Sequence, residues 1–279
     1  MPELPEVETI RRGLEKEVLH KRIIDVQINL PRLIKNLPEN QFKKRLTGSF
    51  IKTIKRRGKY LLCLLNTKDC LIFHLGMSGL LLYLGKDMRT IAKIKEKHNH
   101  LSISFEDASK IIYNDVRQFG KIWLIREGEK LPAIESLGWE PLDDKFTYQI
   151  FFDLFRNKKV GIKSLLMNQK YITGVGNIYA NEALFQAGIH PQRKSDSLTD
   201  QELQKLYFAI KDTLKRAILC DGTTMADESY RNIWGKPGNF AEHILIYGKK
   251  NGHCPICGNP LSLIRIENRS TFVCTACQK

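Results

Sequence analysis

The chain has 279 residues, and 45 Lys and Arg against 30 Asp and Glu leave it a formal net charge of +15. Its length favours two domains over one. Its 42% hydrophobic content is ample for buried cores, and the absence of long one-sign charge blocks excludes a disordered tail protein. No apolar run approaches the roughly 18 to 20 residues of a membrane span, and no charged segment followed by an apolar one opens the chain, so a cytosolic protein without membrane contact is expected; the basic balance fits either a polyanionic partner or a merely basic surface.

The chain opens Met1-Pro2-Glu3-Leu4-Pro5-Glu6. Proline is small enough at position 2 for the initiator methionine to be trimmed, which exposes a secondary amine. An α-amino group has a pKa of about 8 against about 10.4 for lysine, so a useful fraction is neutral and nucleophilic near pH 7. Such an amine can attack a sugar or carbonyl carbon to form an iminium, with Glu3 and Glu6 beside it for proton transfer. The same residues also suit an ordinary first helical turn, which favours proline and acids.

From Glu6 to Leu19, Val7, Ile10, Leu14 and Val18 recur at helical spacing, which predicts one amphipathic helix. Short β-branched or alternating segments follow: Ile23 to Leu30, Ser49 to Arg56, Lys59 to Leu65, Cys70 to Leu75, Leu101 to Phe105 and Lys110 to Tyr113. Their number and spacing predict a β-sandwich. Within it, Cys63 and Cys70 read as buried small hydrophobes.

Around Leu131 to Asp144, Leu131-Pro132 and Gly138-Trp139-Glu140-Pro141 break the pattern, and the domain boundary is placed there. Helical periodicity takes over at Tyr148, with Phe151, Phe152, Leu154 and Phe155, then Ile162, Leu165 and Leu166. Gly174-Val175-Gly176-Asn177 precedes a helix from Ile178 to Ala187; Tyr179 stands where a dinucleotide fingerprint needs its third glycine, so no nucleotide cofactor is expected. The turn either simply connects two helices or presents amides to a phosphate. Thr199-x-x-Glu202 is a capping box for a helix running through Leu203, Leu206, Ile210 and Leu214.

Four of the seven cysteines close the chain as Cys254-x-x-Cys257 and Cys274-x-x-Cys277. This spacing suits two knuckles around one tetrahedral, structural zinc ion; the alternative, two disulfides of a secreted domain, lacks an export signal. The fold class is therefore α+β in two domains: an N-terminal β-sandwich with an N-terminal helix, then a helical domain with a four-cysteine zinc finger.

PELPEVE, Arg57-Gly58-Lys59-Tyr60-Leu61, His74-Leu75-Gly76-Met77-Ser78-Gly79, Asp115-Val116-Arg117-Gln118-Phe119-Gly120, GVGNIYA and the terminal finger with Asn268-Arg269-Ser270 stand in one order along the whole chain. Together they resemble the formamidopyrimidine-DNA glycosylase family. The resemblance implies a catalytic domain over 1–131, a linker over 132–147, a helix-two-turn-helix bundle over 148–243 and the finger over 244–279. It implies a glycosylase and AP lyase of base excision repair in which Pro2 attacks C1′ of the damaged nucleoside, Glu3 donates a proton at the sugar, and Glu6 supports it. Lys59 and Arg269 then serve β- and δ-elimination. Met77, Arg117 and Phe119 match the side chains that fill the gap left by an extruded base; without the resemblance, Met77 and Phe119 read as core residues. His74, His98, Lys158, Lys163 and Asn177 resemble contacts to the DNA backbone.

The implied substrate is damaged double-stranded DNA carrying 8-oxoguanine or formamidopyrimidines opposite cytosine, handled by a monomer located with the nucleoid. Two alternatives remain: an endonuclease VIII type enzyme for oxidised pyrimidines, and a DNA-binding relative without catalysis. Gly235 to Phe240 (GKPGNF) resembles the purine enzymes, and intact Pro2, Glu3 and Lys59 argue against lost catalysis. Two departures stand out. Asn99 occupies the place of an acid that supports His98, and the middle of Asp221 to Trp234, which corresponds to the loop that covers the base, does not follow the family pattern.

Overall fold

The structure, a computed structural model, describes residues 2–87, 94–226 and 230–279. Met1, whose removal the sequence predicts, and residues 227–229 of the expected base-covering loop lie outside the described residues. The chain divides into two compact units, Met1–Glu135 with Cys220–Ala241, and Ser136–Leu219 with Glu242–Lys279.

The first unit opens with helix α1 (Leu4–Val18), which starts two residues before the predicted one because Pro5 is tolerated in a first turn. Strand β1 (Ile23–Ile28) and helix α2 (Glu39–Leu46) follow, then β2 (Ile51–Arg57), β3 (Tyr60–Leu65), β4 (Cys70–His74), β5 (Gly79–Leu84), β6 (Asn99–Phe105), β7 (Lys110–Asp115), β8 (Lys121–Ile125) and a short helix α3 (Pro132–Glu135). They form two antiparallel four-stranded sheets in the orders β1-β6-β7-β5 and β2-β3-β4-β8. One hydrophobic cluster joins both sheets to α1: Leu101, Ile111 and Leu81 from the first, Leu61, Phe73 and Leu124 from the second, Val7, Ile10 and Leu14 from the helix. Leu61, Cys63 and Leu65 alternate inward along β3, as one buried face requires. Cys70, expected to be buried, is half-buried at the start of β4.

Tyr230 and Ile233 belong to this same core. The stretch 220–241 thus folds with the sandwich, whereas the sequence grouped it with the helices. An added Cβ at Gly13 would lie 2.9 Å from the Ile233 side chain, so α1 needs a glycine for this approach. Trp234 Nε1 donates to Glu17 Oε1 at 3.0 Å.

The second unit contains α4 (Tyr148–Phe155), α5 (Ile162–Met167), α6 (Asn177–Gln186), α7 (Asp200–Leu219) and the hairpin of β9 (Ser262–Ile266) with β10 (Arg269–Val273). The predicted capping box is formed: Glu202 N–H donates to Thr199 Oγ1 and Thr199 N–H to Glu202 Oε2. Phe151 and Phe155 stack with ring centroids 4.4 Å apart. No helix among the described residues is long and apolar enough to cross a membrane.

Candidate active site

The N-terminal turn is held from two sides. Glu3 is the N-cap of α1 in a capping box with Glu6, and its N–H donates to Glu6 Oε2 at 2.7 Å. The other oxygen, Glu6 Oε1, accepts the N–H of Thr223 at 2.8 Å, and Glu6 is only 1% exposed. Both carboxylate oxygens are thereby engaged by backbone donors, so Glu6 fixes the backbone of Glu3, the residue next to Pro2. The partner segment is equally constrained, since Tyr230 Oη donates to Asp221 O at 3.0 Å. Burial, and next the charge of Glu6, hold the Tyr230 phenol well above its ordinary range, so it remains a donor.

Lys59 comes from the two-residue turn between β2 and β3, where Arg57 pairs with Tyr60. Gly58 takes the left-handed conformation (φ 55°) that a tight hairpin turn demands. The turn is tied to α1 through Arg56, whose Nε bonds Glu8 Oε2 at 3.1 Å while Nη1 donates to Gly58 O at 3.2 Å. Lys59 is buried at this corner.

Strand register places Arg57, Tyr60, His74 and Lys121 in one row across the second sheet. Directly paired residues share a face, so the imidazole lies between Tyr60 on one side and Lys121 on the other. The His74 ring lies 4.7 Å from that of Tyr60. Burial first, then the charges of Lys59 and Lys121, lower the His74 pKa to about 4, leaving the ring neutral near pH 7. His98 is half-buried, its ring 6.5 Å from that of His100. Next to it Asn99 supplies an acceptor without a charge: its Oδ1 takes the Asn114 Nδ2 donor at 2.7 Å.

Met77 and Phe119 are 38% and 52% exposed, not core residues. The Arg117 guanidinium sits 4.9 Å from the Phe119 ring centroid.

In the second unit, three side chains hold β10 just beyond Arg269. Asn177 Nδ2 donates to Ser270 O at 3.0 Å, Lys163 Nζ to Thr271 Oγ1 at 2.6 Å, and Phe272 N–H to Asn181 Oδ1 at 2.9 Å. Lys163, expected on sequence grounds to reach the DNA backbone, is 1% exposed, because α5 directs it into the unit against Thr271. Arg269 itself is exposed and pairs with Glu267 at 3.3 Å. It borders a cavity of about 430 Å³ lined also by Ser164, Asn168, Gln169 and Tyr171. Lys158 Nζ lies over Tyr171, 5.5 Å from the centroid.

Cys254, Cys257, Cys274 and Cys277 bring their sulfurs within 4.8 Å of one another. Two of the edges measure 3.8 and 3.5 Å. A tetrahedral zinc with Zn–S bonds of about 2.3 Å needs edges of about 3.8 Å, so the four thiols fit one structural zinc ion.

Sequence reasoning missed several of these supports. Asp115, in Asp115-Val116-Arg117-Gln118-Phe119-Gly120, is a fully buried acid that accepts the N–H groups of Arg117 and Gly120. Glu182, a lone acid among apolar residues in NIYANEALF, was a readable signal: it is buried and accepts the N–H groups of Leu245, Ile246 and Tyr247 at 2.7, 3.1 and 2.8 Å. Burial raises its pKa against the opposing effect of those donors. Thr223 carried no local signal.

Residues 1–122 match the family model of the formamidopyrimidine-DNA glycosylase N-terminal domain, residues 137–229 that of the formamidopyrimidine-DNA glycosylase H2TH domain, and residues 253–279 that of the zinc finger found in FPG and IleRS. The chain is 41% identical over 278 residues to the formamidopyrimidine-DNA glycosylase of Wolbachia pipientis wMel, covering 100% of both chains. It is 42% identical to that of Proteus mirabilis, covering 100% of this chain and 98% of the relative. Among solved structures it resembles the MutM (Fpg) protein of Thermus thermophilus with a TM-score of 0.87, at 35% identity over 99% of this chain and 98% of that one. It also resembles Lactococcus lactis Fpg in complex with abasic site containing DNA, with a TM-score of 0.89 at 35% identity over 99% of each chain.

Proposed function

From the membership of this chain in the formamidopyrimidine-DNA glycosylase family, which makes it a DNA glycosylase of base excision repair, we propose that it excises oxidised purines through a covalent iminium at Pro2. The observation that carries this reading is the doubly anchored N-terminal turn. Glu6 spends both oxygens on backbone donors, which leaves Pro2 and the adjacent Glu3 as the pair placed for chemistry. A nucleophile held in one orientation has already lost the freedom that an approach to C1′ would otherwise cost.

In the proposed sequence the Pro2 nitrogen, freed of Met1, forms a bond to C1′ as the glycosidic bond breaks and the base leaves. Glu3 protonates the ring oxygen as the sugar opens, and the resulting iminium acidifies the C2′ proton. Loss of that proton expels the 3′ phosphate, and a second elimination, served by Arg269, expels the 5′ phosphate. Lys59, buried at the β2–β3 corner, then serves proton transfer and phosphate contact in this reading. His74, neutral near pH 7, contributes a hydrogen bond and no charge. Zinc, when bound, supplies only the cross-link that folds the segment bearing Arg269. In this reading the exposed Met77, Arg117 and Phe119 fill the gap left by the extruded base, Lys158, His98 and Asn177 contact the DNA backbone, and the enzyme works as a monomer at the nucleoid.

Borohydride trapping tests the reading. A duplex with 8-oxoguanine opposite cytosine should yield a covalent adduct, and a duplex with an oxidised pyrimidine should compete poorly. Pro2→Gly should cut the adduct by about 100-fold or more with duplex affinity retained. Undiminished trapping by Pro2→Gly, in protein shown by mass spectrometry to lack Met1, would remove Pro2 as the nucleophile.

A further inference from the structure

We propose that the buried carboxylate of Asp115 is the positioning residue of the DNA-inserting side chains, locking the Met77 loop and the Arg117–Phe119 loop into a single rigid wedge. The proposal rests on the reading that Met77, Arg117 and Phe119 enter the duplex.

Asp115 ends β7 and is 0% exposed. Its Oδ1 accepts the Ser78 hydroxyl at 2.6 Å and the Arg117 N–H at 3.2 Å; its Oδ2 accepts the Gly120 N–H at 2.8 Å and the Tyr113 hydroxyl at 3.2 Å. Ser78 Oγ accepts the Arg117 N–H as well, at 3.0 Å. One carboxylate therefore binds the residue after Met77, the backbone of Arg117 and the residue after Phe119. Burial, and next the Asp115 charge, push the Tyr113 phenol far above its ordinary range, which keeps it a donor. His100 Nε2 contacts the Asp115 carbonyl at 2.8 Å and anchors the strand end from β6.

The two loops also touch directly. A Cβ at Gly76 (φ 65°) would lie 2.7 Å from the Phe119 carbonyl carbon and 2.8 Å from Gly120 N, so that contact admits only glycine. Gln118 accepts a left-handed conformation (φ 57°), which turns Arg117 and Phe119 to the same side. The physical need for such a clamp is clear. Filling the gap of an extruded base means parting a base stack, and a side chain on a yielding loop would recoil instead of parting it. Charge-assisted hydrogen bonds in a dry site are the strong kind, and here all four donors converge on one residue.

The test compares two reactions with different needs. Excision from an 8-oxoguanine duplex requires base extrusion; trapping on a single-stranded oligonucleotide with a preformed abasic site does not. Ser78→Ala, which removes one donor and leaves the carboxylate in place, should slow single-turnover excision about tenfold. Asp115→Asn should slow it further, because the amide nitrogen must then face a backbone N–H on one side of the clamp. Trapping on the single strand should stay within about twofold of wild type in both. Equal losses in the two reactions would mark a general structural role and overturn the proposal, as would unchanged excision by both variants. Phe119→Ala, run alongside, separates the premise: wild-type excision by Phe119→Ala defeats the insertion reading itself, whereas slow Phe119→Ala with normal excision by both Ser78→Ala and Asp115→Asn defeats only the clamp.

Discussion

At Gly222 a left-handed backbone (φ 83°) coincides with a crowded site, where an added Cβ would fall 2.9 Å from Glu6 Oε1 and 3.0 Å from the Tyr230 ring. Gly222→Ala should therefore cost about 2 kcal/mol of stability, read as a lower urea midpoint, and should slow trapping because it displaces the carboxylate that holds Glu3. His74 illustrates a different residue-scale effect. Its folded-state pKa of about 4 lies below its value in the unfolded chain, so the unfolded chain takes up the proton first. The contribution of neutral His74 to stability is complete above about pH 6.5 and is lost as pH falls toward about 4.

Among the elements, the β9–β10 hairpin depends most on something outside its own sequence. Its apolar cluster is small, Phe185, Ile246, Leu261 and Phe272 around Cys254 and Cys274, too little to stabilise two five-residue strands without a cross-link. Chelation of zinc should abolish amide exchange protection along β10 while β3 and β4 keep theirs, and should weaken duplex binding about tenfold or more. Protection of β10 that survives chelation would show that Asn177, Asn181 and Lys163 suffice to hold it. Elements with a one-sided pattern were legible from sequence: α1, α7 and β3 follow their periodicities closely. β5 was not, because all six of its residues are buried and no alternation marks them. The short helix α2, with only Phe42 and Leu46 buried, offered too few periodic positions to be seen.

Across the whole molecule, the +15 charge has a consequence that can be counted. Each phosphate neutralised by a cationic side chain contributes about −0.9 to the slope of log affinity against log salt. Arg269→Gln should make that slope shallower by about one, whereas His74→Gln should leave it unchanged, since a neutral imidazole displaces no counterion. Titrations of a damaged duplex between about 50 and about 200 mM salt would measure both. The sequence by itself determined the zinc ligands, because a fixed cysteine spacing carries its chemistry locally, and the order of its motifs along the whole chain determined the family. Only the tertiary structure decided that Lys163 turns inward, that Met77 and Phe119 stand exposed, and that Glu6 and Asp115 work as clamps. The bond from Glu6 to Thr223 joins residues 217 apart in the chain, and no local pattern encodes a partner at that distance; it exists only once the sandwich has closed around α1.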